Sequence, residues 1–189
     1  MPLSTEAKQP TPPHFRLPSH IPDSKALPTI GFEAPLEDLF VGEWHMIRLS
    51  NRFWKDKRNV RLKYTAAGSY IDDEAFYQTM SSEAVKSMVG KDTQCDGTMG
   101  VYLWQGKGLL RVASARWEVL SFTPRTNCRD WMLVFAHGSI FTSPAINLMC
   151  RDRVGLDGDD LLFVDEWLAG VPNDKFQMAV HEMADIKRE

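Results

Sequence analysis

Tyr64, Glu118 and His137 are the residues in this sequence best suited to moving a proton. A phenol, a carboxyl and an imidazole become general acids or bases when their surroundings tune them, and each also donates or accepts a directed hydrogen bond. Arg48 and Tyr102 add two further donors. Other chemistries lack their residues. There is no glycine-rich phosphate loop, no dinucleotide fingerprint and no serine elbow, and Gly106-Lys107-Gly108 reads as a turn between strands. The histidines His14, His20, His45, His137 and His181 are scattered without short ligand spacing, so no metal set is expected. Asp157-Gly158-Asp159-Asp160 begins like a calcium loop, but the later ligand positions are apolar, and a helix N-terminus explains it better.

The candidates fall on short segments rich in aromatic and β-branched residues, separated by Gly, Pro, Asn or Asp at intervals of about ten residues. Strands are expected over 43–50, 59–66, 70–79, 85–93, 99–105, 109–113, 116–122, 131–137 and 146–151. Acidic Asp157, Asp159 and Asp160 open a helix that Gly170 and Pro172 close, and a second helix runs from Asp174 to about Lys187. Eight of the 11 prolines lie within residues 1–35, where no helix or strand period survives. Residues 1–37 are therefore expected to form a proline-rich arm, which in a functional role would lie across a barrel opening, and residues 38–189 the barrel with its C-terminal helices. An antiparallel run of eight or nine strands removes its open edges by closing on itself, and eight strands leave an interior able to hold one small ligand.

Strand alternation gives an approximate lining. If Trp44 faces inward, Met46 and Arg48 share its face; Leu62 and Tyr64 share another. Trp131, Leu133, Phe135 and His137 form a third. On 116–122 two sets compete for the interior, Trp117 with Val119 against Arg116, Glu118, Leu120 and Phe122, and the second would bring in a buried charge pair. The expected ligand contacts are Trp44, Met46, Arg48, Leu62, Tyr102, Trp104, Arg116, Trp131, Leu133 and Phe135. Three positive charges in Lys55–Asn59 read as a solvated hairpin or as a basic lip for an anionic ligand.

The 189 residues are 43% hydrophobic and 11% aromatic, enough for one core. Twenty-two basic residues against 25 acidic give a net charge of -3 and no general field for a phosphate backbone, so nucleic acid is not an expected partner. No apolar run is long enough for a membrane span, and Met1–Glu6 has no leader pattern; a cytoplasmic protein is expected. Cys95, Cys128 and Cys150 are odd in number and widely spaced, which suggests reduced thiols.

Gly42-x-Trp44 on the first strand, Asp130-Trp131 on a late strand and Arg151 at the end of the last resemble the three conserved regions of the lipocalin and calycin barrels. In that family the Arg packs over the Trp and seals the closed end. Trp54-Lys55-Asp56-Lys57-Arg58-Asn59-Val60, Trp104–Leu110, Arg116–Leu120 and Phe141–Ile146 are similar to a lipocalin-like family widespread in fungi, over roughly residues 38–170. The resemblance implies an antiparallel barrel for a small hydrophobic molecule, and related barrels hold polyene or polyketide intermediates for cyclisation. The expected function is a cofactor-independent isomerase or cyclase acting on a polyketide- or terpenoid-type intermediate; the alternative is a non-catalytic carrier. The oligomeric state is left open.

Overall fold

A computed structural model describes residues 12–22, 31–95, 97–125, 129–139 and 142–189. The alternating segments form nine antiparallel strands: β1 (Gly42–Leu49), β2 (Lys57–Ala66), β3 (Ile71–Thr79), β4 (Lys86–Gln94), β5 (Val101–Gly106), β6 (Ser114–Thr123), β7 (Trp131–Ala136), β8 (Ala145–Cys150) and β9 (Ala184–Asp185). Each of the first eight pairs with its neighbour in sequence, and β1 pairs with both β2 and β8, closing an eight-stranded barrel. The two-residue β9 adds to the β1 edge opposite Arg48 and Leu49.

Short helix α1 (Glu37–Phe40) precedes β1, and α2 (Gly158–Gly170) and α3 (Asp174–His181) follow β8. Asn173 caps α3 by accepting from the Phe176 N–H at 3.0 Å. Two expectations are corrected here. The segment 109–113 is not a strand: a 3-10 turn spans Gly108–Leu110, where Gly108 has φ +59° and Leu109 is fully exposed. The last helix stops at His181, because the chain turns back to pair with β1.

The apolar residues divide into two cores. One fills the inside of the barrel, with Trp44, Met46, Leu62, Tyr64, Tyr102, Trp117, Val119, Val134 and Met149. The other lies outside it, where Ile47, Leu120, Trp131, Leu133, Phe135, Ile146 and Leu148 meet Val164 and Leu168 of α2 and Phe176 of α3. β8 is consequently buried along its whole length and β7 along all but its last residue. The acidic side of α2 is fixed by arginines from the barrel: Arg48 Nη1 lies 2.5 Å from Asp165 Oδ1, Arg125 binds Asp160 and Arg129 binds Asp157.

Arm residues 12–22 run along the outer wall beside β6, whereas Phe32 packs against the inner core. Phe15 stacks on Trp167 with centroids 4.8 Å apart, and Leu17 and Ile21 are buried in the outer core. The Arg16 N–H donates to Leu120 O at 2.8 Å, and its guanidinium donates to Val119 O at 2.6 Å and Gly100 O at 2.9 Å. Arm residues 12–22 therefore line the side of the barrel and not an opening. Residues 1–11 and 23–30 of the expected arm, together with Cys128 and Phe141, lie outside the described residues. Among the described residues no helix is long and apolar enough to cross a membrane.

Candidate functional site

One end of the barrel is sealed by the residues that carry the family resemblance. Arg151 lies over the Trp44 ring at 3.8 Å and donates to the carbonyls of Glu43 (3.0 Å), Leu39 (2.8 Å) and Val41 (2.7 Å). Trp44 Nε1 donates to Phe40 O at 2.8 Å, tying α1 beneath the barrel. Gly42 is required twice here, since its φ is +108° and a Cβ would meet Arg151 Nη1 at 2.8 Å. Phe40 then plugs this end by stacking on Tyr64, Tyr102 and Trp117, with centroids 4.3, 5.4 and 5.8 Å away.

Towards the other end is a cavity of about 350 Å³. Its mouth is formed by Asn51, Phe53 and Trp54 before β2, by Leu110 and Ala113 before β6, and by His137, Thr142 and Ser143 after β7. Met46, Leu62, Ala75, Met88, Trp104, Val134, Ala136 and Met149 make its wall predominantly apolar. A few polar groups interrupt that wall: Tyr64, Asp73 and Asn147. A concave apolar surface with a small number of directed polar atoms is the general form of a small-molecule site.

Asp73 is the unusual member. β3 presents Ile71, Asp73 and Ala75 inward, so alternation places a carboxyl where an aliphatic residue would pack. Tyr64 lies directly across on β2, and Asp92 sits diagonally on β4, where Ile71 is its partner and Gly90 that of Asp73. Asp92 is fully buried and accepts from Trp117 Nε1 at 2.7 Å. Asp73 Oδ1 and Asp92 Oδ2 are both buried with no hydrogen-bond partner among the described residues, as is Asn147 Oδ1.

These surroundings dictate protonation. Burial pushes the Asp73 carboxyl up to about 7, against the opposing effect of the Trp104 indole donor. Asp92 is raised well above the usual carboxylate range by burial and then by the charge of Asp73, with the Trp117 hydrogen bond opposing. Burial, with the nearby Asp73 and Asp92, likewise keeps the Tyr64 phenol protonated. The interior thus holds neutral acids below pH 7, and Asp73 is the first to ionise, near pH 7. Gly90 makes room for the arrangement: a Cβ there would lie 2.2 Å from Trp104 Nε1.

The expected site residues separate into three groups. Met46, Leu62, Tyr64 and Trp104 line the cavity. Trp44 and Tyr102 are buried in the inner core, packed around the sealed end. The rest are corrected. A bulge between Met46 and Arg48 reverses the alternation of β1, so Arg48 points to α2 while Leu49 turns inward. On β7 the inward face is Met132, Val134 and Ala136; Trp131, Leu133 and Phe135 belong to the outer core.

On β6, Trp117 and Val119 take the interior, leaving Arg116 exposed and Glu118 outside under the arm. Glu118 Oε1 lies 2.6 Å from His137 Nε2 and accepts from Ser19 N at 3.0 Å. Burial opposes ionisation of Glu118, but hydrogen bonds from His137 and Ser19 and the charges of His137 and Arg16 outweigh it, holding the carboxylate below its usual range. The structure thus joins Glu118 to His137 at the rim; His137 lines the same cavity as Tyr64, whereas Glu118 lies outside it. The Lys55–Asn59 run is no free basic lip, because Lys55 pairs with Glu182, Lys57 with Asp56, and Arg58 is buried between Glu83 and Glu189. Asp73 and Asp92 are absent from the sequence-based set, although acidic residues at alternate positions of an otherwise inward face were the available signal.

No protein-family model matches the sequence, and no curated protein matches it. Solved structures do. Insecticyanin from the tobacco hornworm Manduca sexta superposes with a TM-score of 0.63 at 16% identity, covering 93% of this chain and 89% of its own. Apocrustacyanin A1 from lobster gives 0.61 at 12% identity, with 82% and 81% covered. The siderocalin Ex-FABP, described as functioning through dual ligand specificities, gives 0.52 at 13% identity over 79% of this chain and 94% of its own. The barrel, its sealed end and its C-terminal helices are those of the lipocalin fold.

Proposed function

We propose that the barrel binds one small hydrophobic molecule and catalyses its isomerisation or cyclisation by acid–base chemistry centred on Asp73, with Asp92 and Tyr64 supporting it. The observation that carries this reading is a buried carboxyl, its pKa pushed up to about 7, with an unpartnered oxygen on the wall of an apolar cavity. A binding site needs no such group; its burial costs stability and is a common mark of a catalytic acid.

Asp73 delivers its proton to an alkene or enol carbon of the bound molecule. The π pair forms the new C–H bond and leaves a cationic carbon next to it. That carbon either loses a neighbouring proton directly or is attacked by a second π bond, which closes a ring and moves the cation to the far carbon of that bond, and that carbon then loses a neighbouring proton. The carboxylate of Asp73 takes the proton released. The product is an isomer of the substrate and no electrons leave the pair. Tyr64 and Asn147 orient polar atoms of the substrate, and the aromatic wall around Trp104 and Trp117 faces the developing cation. A polyketide- or terpenoid-type intermediate with several double bonds suits this cavity, and the role is biosynthetic. Glu118 and His137 are assigned no part in this step.

A second reading, a carrier or sequestering protein, is favoured by the open mouth and by the small share of polar atoms in the wall. The ligand specificities in the description of Ex-FABP agree with it. Incubating a hydrophobic extract of the host with the wild type, Asp73→Asn and Asp92→Asn separates the two. Catalysis predicts a species of unchanged mass and altered retention time with wild type, lost with Asp73→Asn. Carriage predicts the same bound molecule in all three and no conversion.

A further inference from the structure

His20, Glu118 and His137 converge on one point beside the cavity mouth, which His137 also lines. His20 comes from the arm, Glu118 from the outer face of β6, and His137 directly follows β7. One ligand-type atom from each lies within 4.8 Å of the other two. The cluster is ordered by its surroundings. Phe135 pairs with Glu118 across β6 and β7, the His20 ring stacks on Phe135 at 5.3 Å, and the two imidazoles meet edge to face at 5.4 Å. Glu118 is 1% exposed, and His20 is open to solvent.

We propose that these three side chains bind one divalent transition-metal ion of the zinc class, which fastens the N-terminal arm to the barrel wall. Two imidazoles and one carboxylate are a donor set for zinc that leaves a coordination position free. Tetrahedral zinc–ligand bonds of about 2.0–2.2 Å place neighbouring donors roughly 3.3–3.6 Å apart, so the ion opens the 2.6 Å contact between His137 and Glu118 and draws together donors that now stand within 4.8 Å of one another.

An outer shell is present as well. Ser19 N and Ser19 Oγ reach Glu118 Oε1 at 3.0 and 3.2 Å, and Arg116 Nη2 reaches Ser19 Oγ at 3.4 Å. Arg16 Nη2, 4.0 Å from Glu118 Oε2, opposes a dication and weakens the site. The ion sits under the arm beside the cavity rim and plays no part in the proton transfer proposed at Asp73.

The test uses tag-free, chelator-stripped full-length protein titrated with Zn²⁺ by calorimetry, and with Co²⁺ by visible absorption. One equivalent binds to the wild type and raises its Tm. His20→Ala lowers the affinity at least about tenfold and abolishes the rise in Tm. His20 is exposed, so this variant folds, and equal Tm without metal verifies it. His45→Ala, on the outside of β1, binds as the wild type does. Absence of saturable binding, or equal binding by the wild type and His20→Ala, overturns the proposal.

Discussion

Trp117 Nε1 donates to Asp92 Oδ1 at 2.7 Å inside the barrel, where Asp92 has no exposed surface. One indole thereby holds one carboxyl of a buried pair in place, while Asp73, its diagonal neighbour on β3, reaches the cavity.

Stability should fall as pH rises across neutrality. An unfolded aspartate loses its proton near pH ~4, whereas Asp73 in the native state keeps it to about 7. Between those values the native state binds more protons than the unfolded one, so each step up in pH favours unfolding. The stabilisation is fully present below about pH 4 and lost as pH passes about 7, and its size is on the order of 3–4 kcal/mol. Urea unfolding at pH 5 and 8 checks this. Asp73→Asn is expected to reduce the difference, with Asp92 carrying the remainder, and an unchanged difference would refute the assignment.

Filling the cavity should abolish binding without unfolding the barrel. Ala75 lines the wall on the same face of β3 as Asp73. Ala75→Phe is expected to weaken binding of an apolar fluorescent probe by at least about tenfold, because a ring-sized group occupies the space the probe needs. Far-UV circular dichroism should stay as in the wild type. Equal binding by the variant would place the ligand elsewhere.

The Trp104 position depends on a glycine. A Cβ at residue 90 would overlap the indole, so Gly90→Ala should displace Trp104, cost about 1–3 kcal/mol and shift the tryptophan emission. It should also raise the pH at which Asp73 titrates, because the displaced indole no longer donates to that carboxyl. Chemical denaturation and emission spectra measure the first two effects.

The sealed end was legible in the sequence because Gly42, Trp44 and Arg151 act together through one stacked and hydrogen-bonded contact. The β7 lining was not. Trp131–Phe135 is apolar at every position, since helices cover the outside of the barrel as the cavity lies within, and an unbroken apolar run carries no phase. Arg48 was misplaced by a bulge, which side-chain alternation cannot register. The ambiguity at 116–122 has a similar cause, because the arm buries the outer face and makes Glu118 as inaccessible as Trp117. Asp73 and Asp92 were overlooked because each stands in a polar run, Asp72-Asp73-Glu74 and Lys91-Asp92-Thr93, that reads as solvent-facing.

Arg151→Ala should destabilise the protein by about 2 kcal/mol, from lost carbonyl hydrogen bonds and lost stacking on Trp44, discounted for partial exposure. Arg151→Lys should rescue little of it, since a point charge cannot both cover the indole and span several carbonyls. Thermal unfolding of both variants distinguishes a planar clamp from a simple charge.

The most direct measurement is the titration of the aspartate carboxyl carbons by NMR on protein labelled at those carbons. The account predicts one aspartate signal moving near 7 and one higher, and that these two signals disappear in Asp73→Asn and Asp92→Asn respectively. Titration of every aspartate below pH ~5 would contradict it, because the cavity would then hold carboxylates with no proton to give.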